Sequence, residues 1–359
     1  MSWILAFVGF AALIIFHEIG HFAAAKAVGM RVERFSLFFG KPLVSFRRGE
    51  TEYAIGPYPL GGYVTITGMN PRQEIELEVE HRAYYRQAVW KRIFVISAGP
   101  AVNILIAFVI FWALLMINGQ TVATQRVGSE GLTQPATRYL EPGDRIVSVD
   151  GVGGDAAAIA KQVSTHRCAG TPKNGCDATT PARVVVERDG ERRSFEIRPR
   201  YDATEGIERT RLGFSYAAAT RTLGPVSAAD LSVTTMWDVT TASVTRIVRL
   251  FDAEERKQLS GVVGSYEVTR QSFGFSFSQA MAVLGLISLS LAVINLFPFL
   301  PLDGGHIFWA LAEKLRGRPI SFSVMEGASA VGFVLVILLF VVGLSNDIGR
   351  LQNGGFDVR

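Results

Sequence analysis

The apolar positions of this chain gather into a few long runs, with a polar middle between them. A helix needs about 20 mostly apolar residues to cross a bilayer, and four stretches meet that need. The first runs from Trp3 to Phe16 and continues into the string HEIGHFAAAKAVG. The second runs from Ile93 to Asn118, the third from about Ala280 to Leu300, and the fourth from about Val324 to Leu344. Four spans put both termini on one side. The opening run has no positive charge before it, which argues against the other reading of such a start, a cleaved signal peptide.

Other periods fill the space between the runs. Residues 41–68 alternate in short apolar and polar runs broken by Gly56-Pro57, Pro59 and Gly61-Gly62, a β pattern. It predicts either an ordinary cytoplasmic hairpin or a sheet beside the first span that re-enters the membrane, tolerated only where it lines a cavity. Residues 73–92 are charged and read as a juxtamembrane loop. In segment 121–215, the string from Leu140 to Gly151 (LEPGDRIVSVDG) predicts a turn, a strand and a tight Asp-Gly turn. Residues 182–199 predict a hairpin around Asp189-Gly190. From Trp237 to Phe251, apolar residues recur at helical spacing. That helix would lie on the membrane surface or pack against the polar domain.

These patterns predict a polytopic α-helical membrane protein with four transmembrane helices, a β-region at 41–68 and an inserted domain; with the resemblance given below they imply that the β-region is membrane-associated and the inserted domain α+β. The parts of the chain are an N-terminal membrane half 1–118, the inserted domain 121–215, an amphipathic segment 216–278, and a C-terminal membrane half 279–359.

Composition narrows the class. Of 359 residues, 49% are hydrophobic and 19% charged, which excludes a disordered chain. The net charge of +4 comes without a dense Lys/Arg block, so no nucleic-acid partner is expected. Where the charge sits is more informative. Eleven Lys/Arg lie from Lys26 to Arg92, and Lys314, Arg316 and Arg318 lie between spans three and four. Both short loops therefore read as cytoplasmic. The long segment 119–279 and both termini then face the other side. There Cys168 and Cys176 would pair in a disulfide, the alternative being two free thiols. His81 and His166 read as ordinary surface histidines.

The chemistry starts at His17-Glu18-Ile19-Gly20-His21. On a helix, residues four apart differ by about 40° in direction and stand one turn apart. His17 and His21 can thus aim two imidazoles at one ion, a set that suits Zn²⁺. Glu18 is close enough to serve as general base, as in the HExxH metalloprotease motif. Two His and a Glu inside an apolar run are expensive and mark function. Catalytic zinc takes three protein ligands. Asp303, after the breaks at Pro298 and Pro301 and before Gly304-Gly305, is the third candidate, and His306 is its rival.

These strings resemble the site-2 protease family, closest to its bacterial RseP type (regulator of sigma-E protease). HEIGH fits the family's first motif, and Asn295 to Gly305 (NLFPFLPLDGG) fits its second. Gly99 to Asn103 (GPAVN) resembles its second-helix motif, and GPYPLGGYV its membrane-associated β-region. LxxGDxIxxVDG resembles a PDZ domain. Enterobacterial relatives carry two PDZ domains, and this chain has room for one. Where relatives read GPVGI, this chain has Gly261-Val-Val-Gly-Ser265.

The resemblance implies zinc on His17, His21 and Asp303, Glu18 as base, and a substrate held by Asn295 with Asn103 nearby. The strand Tyr63, Val64, Thr65 and Ile66 would pair with an extended substrate. It implies an intramembrane protease in the bacterial inner membrane, its active site toward the cytoplasm. Its substrates would be single-span proteins trimmed by a first protease, such as anti-sigma factors, and remnant signal peptides. The PDZ domain would exclude bulky substrates or bind a peptide. Two rivals are a receptor with a structural zinc and a metal transporter, though no internal repeat supports the latter.

Overall fold

The computed structural model describes residues 1–70, 73–204, 207–249, 252, 256, 260–318 and 320–352. The chain divides into two units, Met1–Met116 with Gly224–Arg359, and Ile117–Leu223.

The first unit begins with helix α1, Ser2–Ala27. Four strands follow: β1 Val32–Phe39, β2 Val44–Arg48, β3 Thr51–Ile55 and β4 Tyr58–Ile66. The sheet thus starts upstream of the expected window 41–68. Val32–Phe39 (VERFSLFF) mixes Glu33, Arg34 and Ser36 with apolar and aromatic residues and does not alternate cleanly, and its burial follows no two-residue period either. Strand order is β2-β3-β1-β4, with β1 parallel to β3 and antiparallel to β4, so β4 is an edge strand. This is a mixed sheet rather than a lone hairpin, and it packs on α1. Helix α2, Val89–Asn118, then runs out of the unit.

After the second unit the chain returns through α4 (Pro225–Val248), α5 (Val262–Phe275), α6 (Phe277–Asn295), α7 (Asp303–Arg316) and α8 (Phe322–Gln352). Helices α1, α2, α6 and Ser323–Gln352 of α8 are long and apolar enough to cross a membrane. The third span ends at Asn295, not near Leu300. Pro298 cannot donate to a helical carbonyl and pushes the residue before it out of the helical region.

The Trp237 segment is part of helix α4, Pro225–Val248. Its Met236 joins Ala107 and Phe111 of α2 and Leu289 and Val293 of α6 in one apolar cluster, so it packs on the apolar helices. The far end of that repeat, at Phe251, lies outside the described residues. Gly261-Val-Val-Gly-Ser265 opens helix α5. Asp347 of α8 is fully buried and accepts from Gly261 N at 3.1 Å, Gly264 N at 2.7 Å and Ser260 Oγ at 3.2 Å. It caps the free amides at the start of α5 from another helix.

Among the described residues, the second unit has a five-stranded sheet in the order β11-β5-β6-β7-β8 and one α-helix. Its strands are β5 Gln120–Val127, β6 Arg145–Val149, β7 Ala182–Arg188, β8 Glu191–Ile197 and β11 Tyr216–Arg221, and the helix is α3, Ala156–Val163. A separate ribbon pairs β9 (Arg200–Asp202) with β10 (Arg209–Arg211). Val127, Leu140, Ile146, Ile159, Val184 and Val186 are among the core residues. The hairpin forms around Asp189-Gly190, both at positive φ as a tight primed turn requires. Cys168 and Cys176 form a disulfide with Cα atoms 6.2 Å apart. His166 is not a free surface histidine: its Nε2 stands 2.7 Å from Asp150 Oδ2 and its Nδ1 2.9 Å from Thr180 Oγ1.

Candidate metal centre

The buried residues of α1 form one stripe: Ala6, Leu13, His17, Gly20, His21, Ala24 and Ala25. Phe16 and Ile19 are exposed beside it. The HEIGH string therefore turns both histidines inward because the helix period does, while its apolar flanks face outward. Their rings cross at 80° with centroids 4.9 Å apart, and the two Nε2 atoms are 3.2 Å from each other. Asp303 is the first residue of α7, where a helix N-terminus favours a carboxylate. Its Oδ2 lies 3.3 Å from each Nε2. Gly304 and Gly305 are helical, and they matter for their missing Cβ atoms rather than for an unusual backbone. A Cβ on either would strike the backbone of the 296–300 turn, which folds directly over the start of α7.

This triangle fits zinc. Donors at about 2.0–2.1 Å on a tetrahedral ion stand roughly 3.3–3.4 Å apart, and the observed edges are 3.2, 3.3 and 3.3 Å. Asp303 Oδ2 is buried and takes part in no hydrogen bond despite the two nitrogens beside it. Such an oxygen is costly unless a cation faces it. Two imidazoles and one carboxylate are also a donor set of catalytic rather than structural sites. His306 is absent from the cluster, in which His17, His21 and Asp303 are the ligating residues brought together among those described.

Neighbouring groups hold the triangle. His21 Nδ1 donates to the Val95 carbonyl at 2.9 Å. The His21 ring lies where a Cβ on Gly99 would stand, which explains the glycine of GPAVN. At one end of α2, Arg92 grips Glu313 of α7 with two bonds of 2.9 and 2.7 Å, tying the helix of Asp303 to that of Val95. Sequence reasoning missed Val95, since a backbone carbonyl leaves no trace in residue identity. Arg92 was legible only as a positive charge.

A cleft of about 420 Å³ opens on the metal cluster. Glu18, His17, His21, Asp303 and Asn295 line it, as do Gly61, Gly62, Tyr63, Val64 and Ile66 of β4. Two expected substrate contacts differ. Thr65 is not among the lining residues, as the alternation along a strand makes understandable. Asn103 is fully buried behind the cluster, with its Nδ2 3.2 Å from His17 Nδ1, and does not line the cleft.

The arrangement is that of a multi-pass membrane protein with a zinc-type donor triad beside a carboxylate in a cleft. Comparison with known proteins agrees. The model of Peptidase family M50 matches residues 5–339, and the chain belongs to that family, the site-2 proteases. Relatives named as zinc metalloproteases include one from Campylobacter jejuni, 28% identical over 349 residues, which covers 94% of this chain and 91% of the relative. One from Agrobacterium fabrum is 28% identical over 374 residues, covering 98% and 96%. One from Neisseria meningitidis is 28% identical over 447 residues, covering 98% and 100%.

Proposed function

We propose that this protein hydrolyses peptide bonds within or beside membrane-spanning segments, with His17, His21 and Asp303 holding zinc and Glu18 as general base. The observation that carries the reading is the near-equilateral triangle of Nε2, Nε2 and Oδ2, with Glu18 on the same cleft wall. Zinc, when bound, supplies Lewis acidity and makes water a nucleophile near neutral pH. Glu18 takes the proton of the attacking water and delivers it to the departing amide nitrogen. Asn295, at the end of α6, orients the backbone of the substrate.

A helical substrate offers no free carbonyl, so it must first unwind. The open edge of β4 supports a strand-addition mode, because its unpaired backbone groups border the same cleft. Substrates of the family kind are single-span proteins already shortened by another protease, or remnant signal peptides. The charged clusters Lys26–Glu50–Arg82 and Arg92–Glu313 gather at the same helix ends as the positive loops, which supports a cytoplasmic placement of that end in the inner membrane. Unit 117–223 is proposed to be PDZ-like. Its edge strand β11 and helix α3 border a groove of about 260 Å³ suited to an extended peptide.

The test is cleavage of a single-span substrate in liposomes by the wild type and Glu18→Gln, both assayed for zinc. Loss of a general base predicts a fall of about 10²–10⁴-fold with zinc retained. Equal cleavage by the two proteins would overturn the assignment.

A further inference from the structure

His17 and His21 both turn Nε2 toward Asp303, so the Nδ1 of each points outward into the protein. For His21, the outward atom meets the Val95 carbonyl, which can only accept. His21 Nδ1 therefore carries the hydrogen, and Nε2 keeps its lone pair for the ion. His17 can offer the same lone pair only if its own Nδ1 carries a hydrogen, and that hydrogen needs an acceptor. The group at that atom is the Asn103 amide, with Nδ2 at 3.2 Å. Nδ2 is a donor, so two donors would face each other.

A second observation bears on the same amide. Asn103 Oδ1 is buried and has no hydrogen-bond partner. A half-turn about the last side-chain bond exchanges the two ends of an amide, and the surrounding network decides which end faces where. That one rotation brings an acceptor to His17 Nδ1, with the unpartnered position passing to Nδ2. The backbone there is held from the other side, where Ser288 Oγ of α6 donates to the Asn103 carbonyl at 2.9 Å.

We propose that Asn103 is a positioning residue: its Oδ1 accepts from His17 Nδ1–H and so fixes the tautomer whose Nε2 binds zinc. This rests on the metal reading above and not on the proteolytic one. It also replaces a substrate-binding role for Asn103 with one exercised through His17.

The experiment measures zinc affinity of the full chain in detergent, by competition with a chromophoric chelator, together with the visible spectrum of the Co²⁺-substituted protein. Asn103→Leu keeps the volume and removes the acceptor, whereas Asn103→Asp keeps both. Asn103→Leu should weaken zinc by about 10–100-fold, the usual effect of losing such a partner, and shift the cobalt bands. Asn103→Asp should stay near the wild type in both. Wild-type affinity and spectrum in Asn103→Leu would overturn the proposal. So would equal weakening in Asn103→Asp, which would mark a packing role. His17→Ala separates the two levels: wild-type zinc affinity there would bring down the metal reading itself, whatever Asn103 does.

Discussion

Each unit of this protein carries a sheet with an open edge strand beside a groove. In one unit β4 borders the cleft of His17, Glu18, His21 and Asp303. In the other β11 borders a groove walled by Ile159, Val163, Leu212, Phe214 and Tyr216. The backbone physics is the same, since unpaired N–H and C=O groups on an edge can add a further strand. What differs is the helix that faces the edge. Helix α1 brings two histidines on its buried stripe and the Glu18 carboxylate beside it to the cleft, whereas α3 brings Ile159 and Val163. Beside the β11 groove the buried Tyr216 hydroxyl has no hydrogen-bond partner among the described residues, and its burial pushes the phenol up to about 12. Edge strands can thus supply recognition in both places, while chemistry depends on what the helix opposite them carries.

The largest test of that contrast is at Gly99. A side chain there would displace the His21 ring, so Gly99→Val should remove cleavage by about 10²-fold or more, the scale set by an ångström of misplacement. Zinc content of the purified variant checks the cause. Unchanged cleavage would mean that His21 does not need this position.

A middle effect separates the two edges. Single proline substitutions at Tyr63, Val64 and Ile66 remove backbone donors from β4. At positions facing the open edge they should lower kcat/KM by roughly 2–10-fold per hydrogen bond lost, with zinc retained. Matching prolines at Ala218 and Ala219 of β11 should leave cleavage of a short single-span substrate unaltered while weakening capture of a soluble peptide. If every β4 proline cleaves normally, strand addition is the wrong mode.

The smallest effect lies at the rim of the first unit. Arg82 and Lys26 hold the Glu50 carboxyl down at about 2, from an ordinary value of 4.5. A depressed carboxylate contributes stability that is complete above pH 4.5 and is lost as pH falls through about 2. The pair is partly exposed, so Glu50→Gln should cost about 0–1 kcal/mol near neutrality. The variant should also lose the part of the acid dependence that lies between those two pH values. Thermal unfolding at a series of pH values reads both, and a larger loss of stability at pH 3 than at pH 7 would contradict it.

The apolar helices and the inward-facing histidines of HEIGH were legible because each is a local pattern. An apolar run must be a helix in lipid, and two residues four apart on a helix must share a face. Asp303 was legible from the proline break and the polar residue after it. The sheet edge was harder. Strand β1 mixes Glu33, Arg34 and Ser36 with apolar residues and lacks a clean strand period, and nothing in residues 41–68 announces that Val32–Phe39 pairs between β3 and β4. Asp347 stayed hidden for a similar reason, since its partners are the backbone amides of Gly261 and Gly264 on a distant stretch of chain.

By itself, then, the order of residues marked which segments are long and apolar enough to cross a membrane, which side chains are candidates for the chemistry, and that a β-rich unit interrupts the helices. Periodicity is a property of neighbours along the chain and needs no fold to be read. Only the tertiary structure decided that Asp303 meets His17 and His21 at 3.3 Å, that Gly99 vacates the space for an imidazole, and that Asn103 stands behind His17 rather than in the cleft. Those are contacts between segments far apart in sequence. They follow from how helices pack, which no single segment encodes.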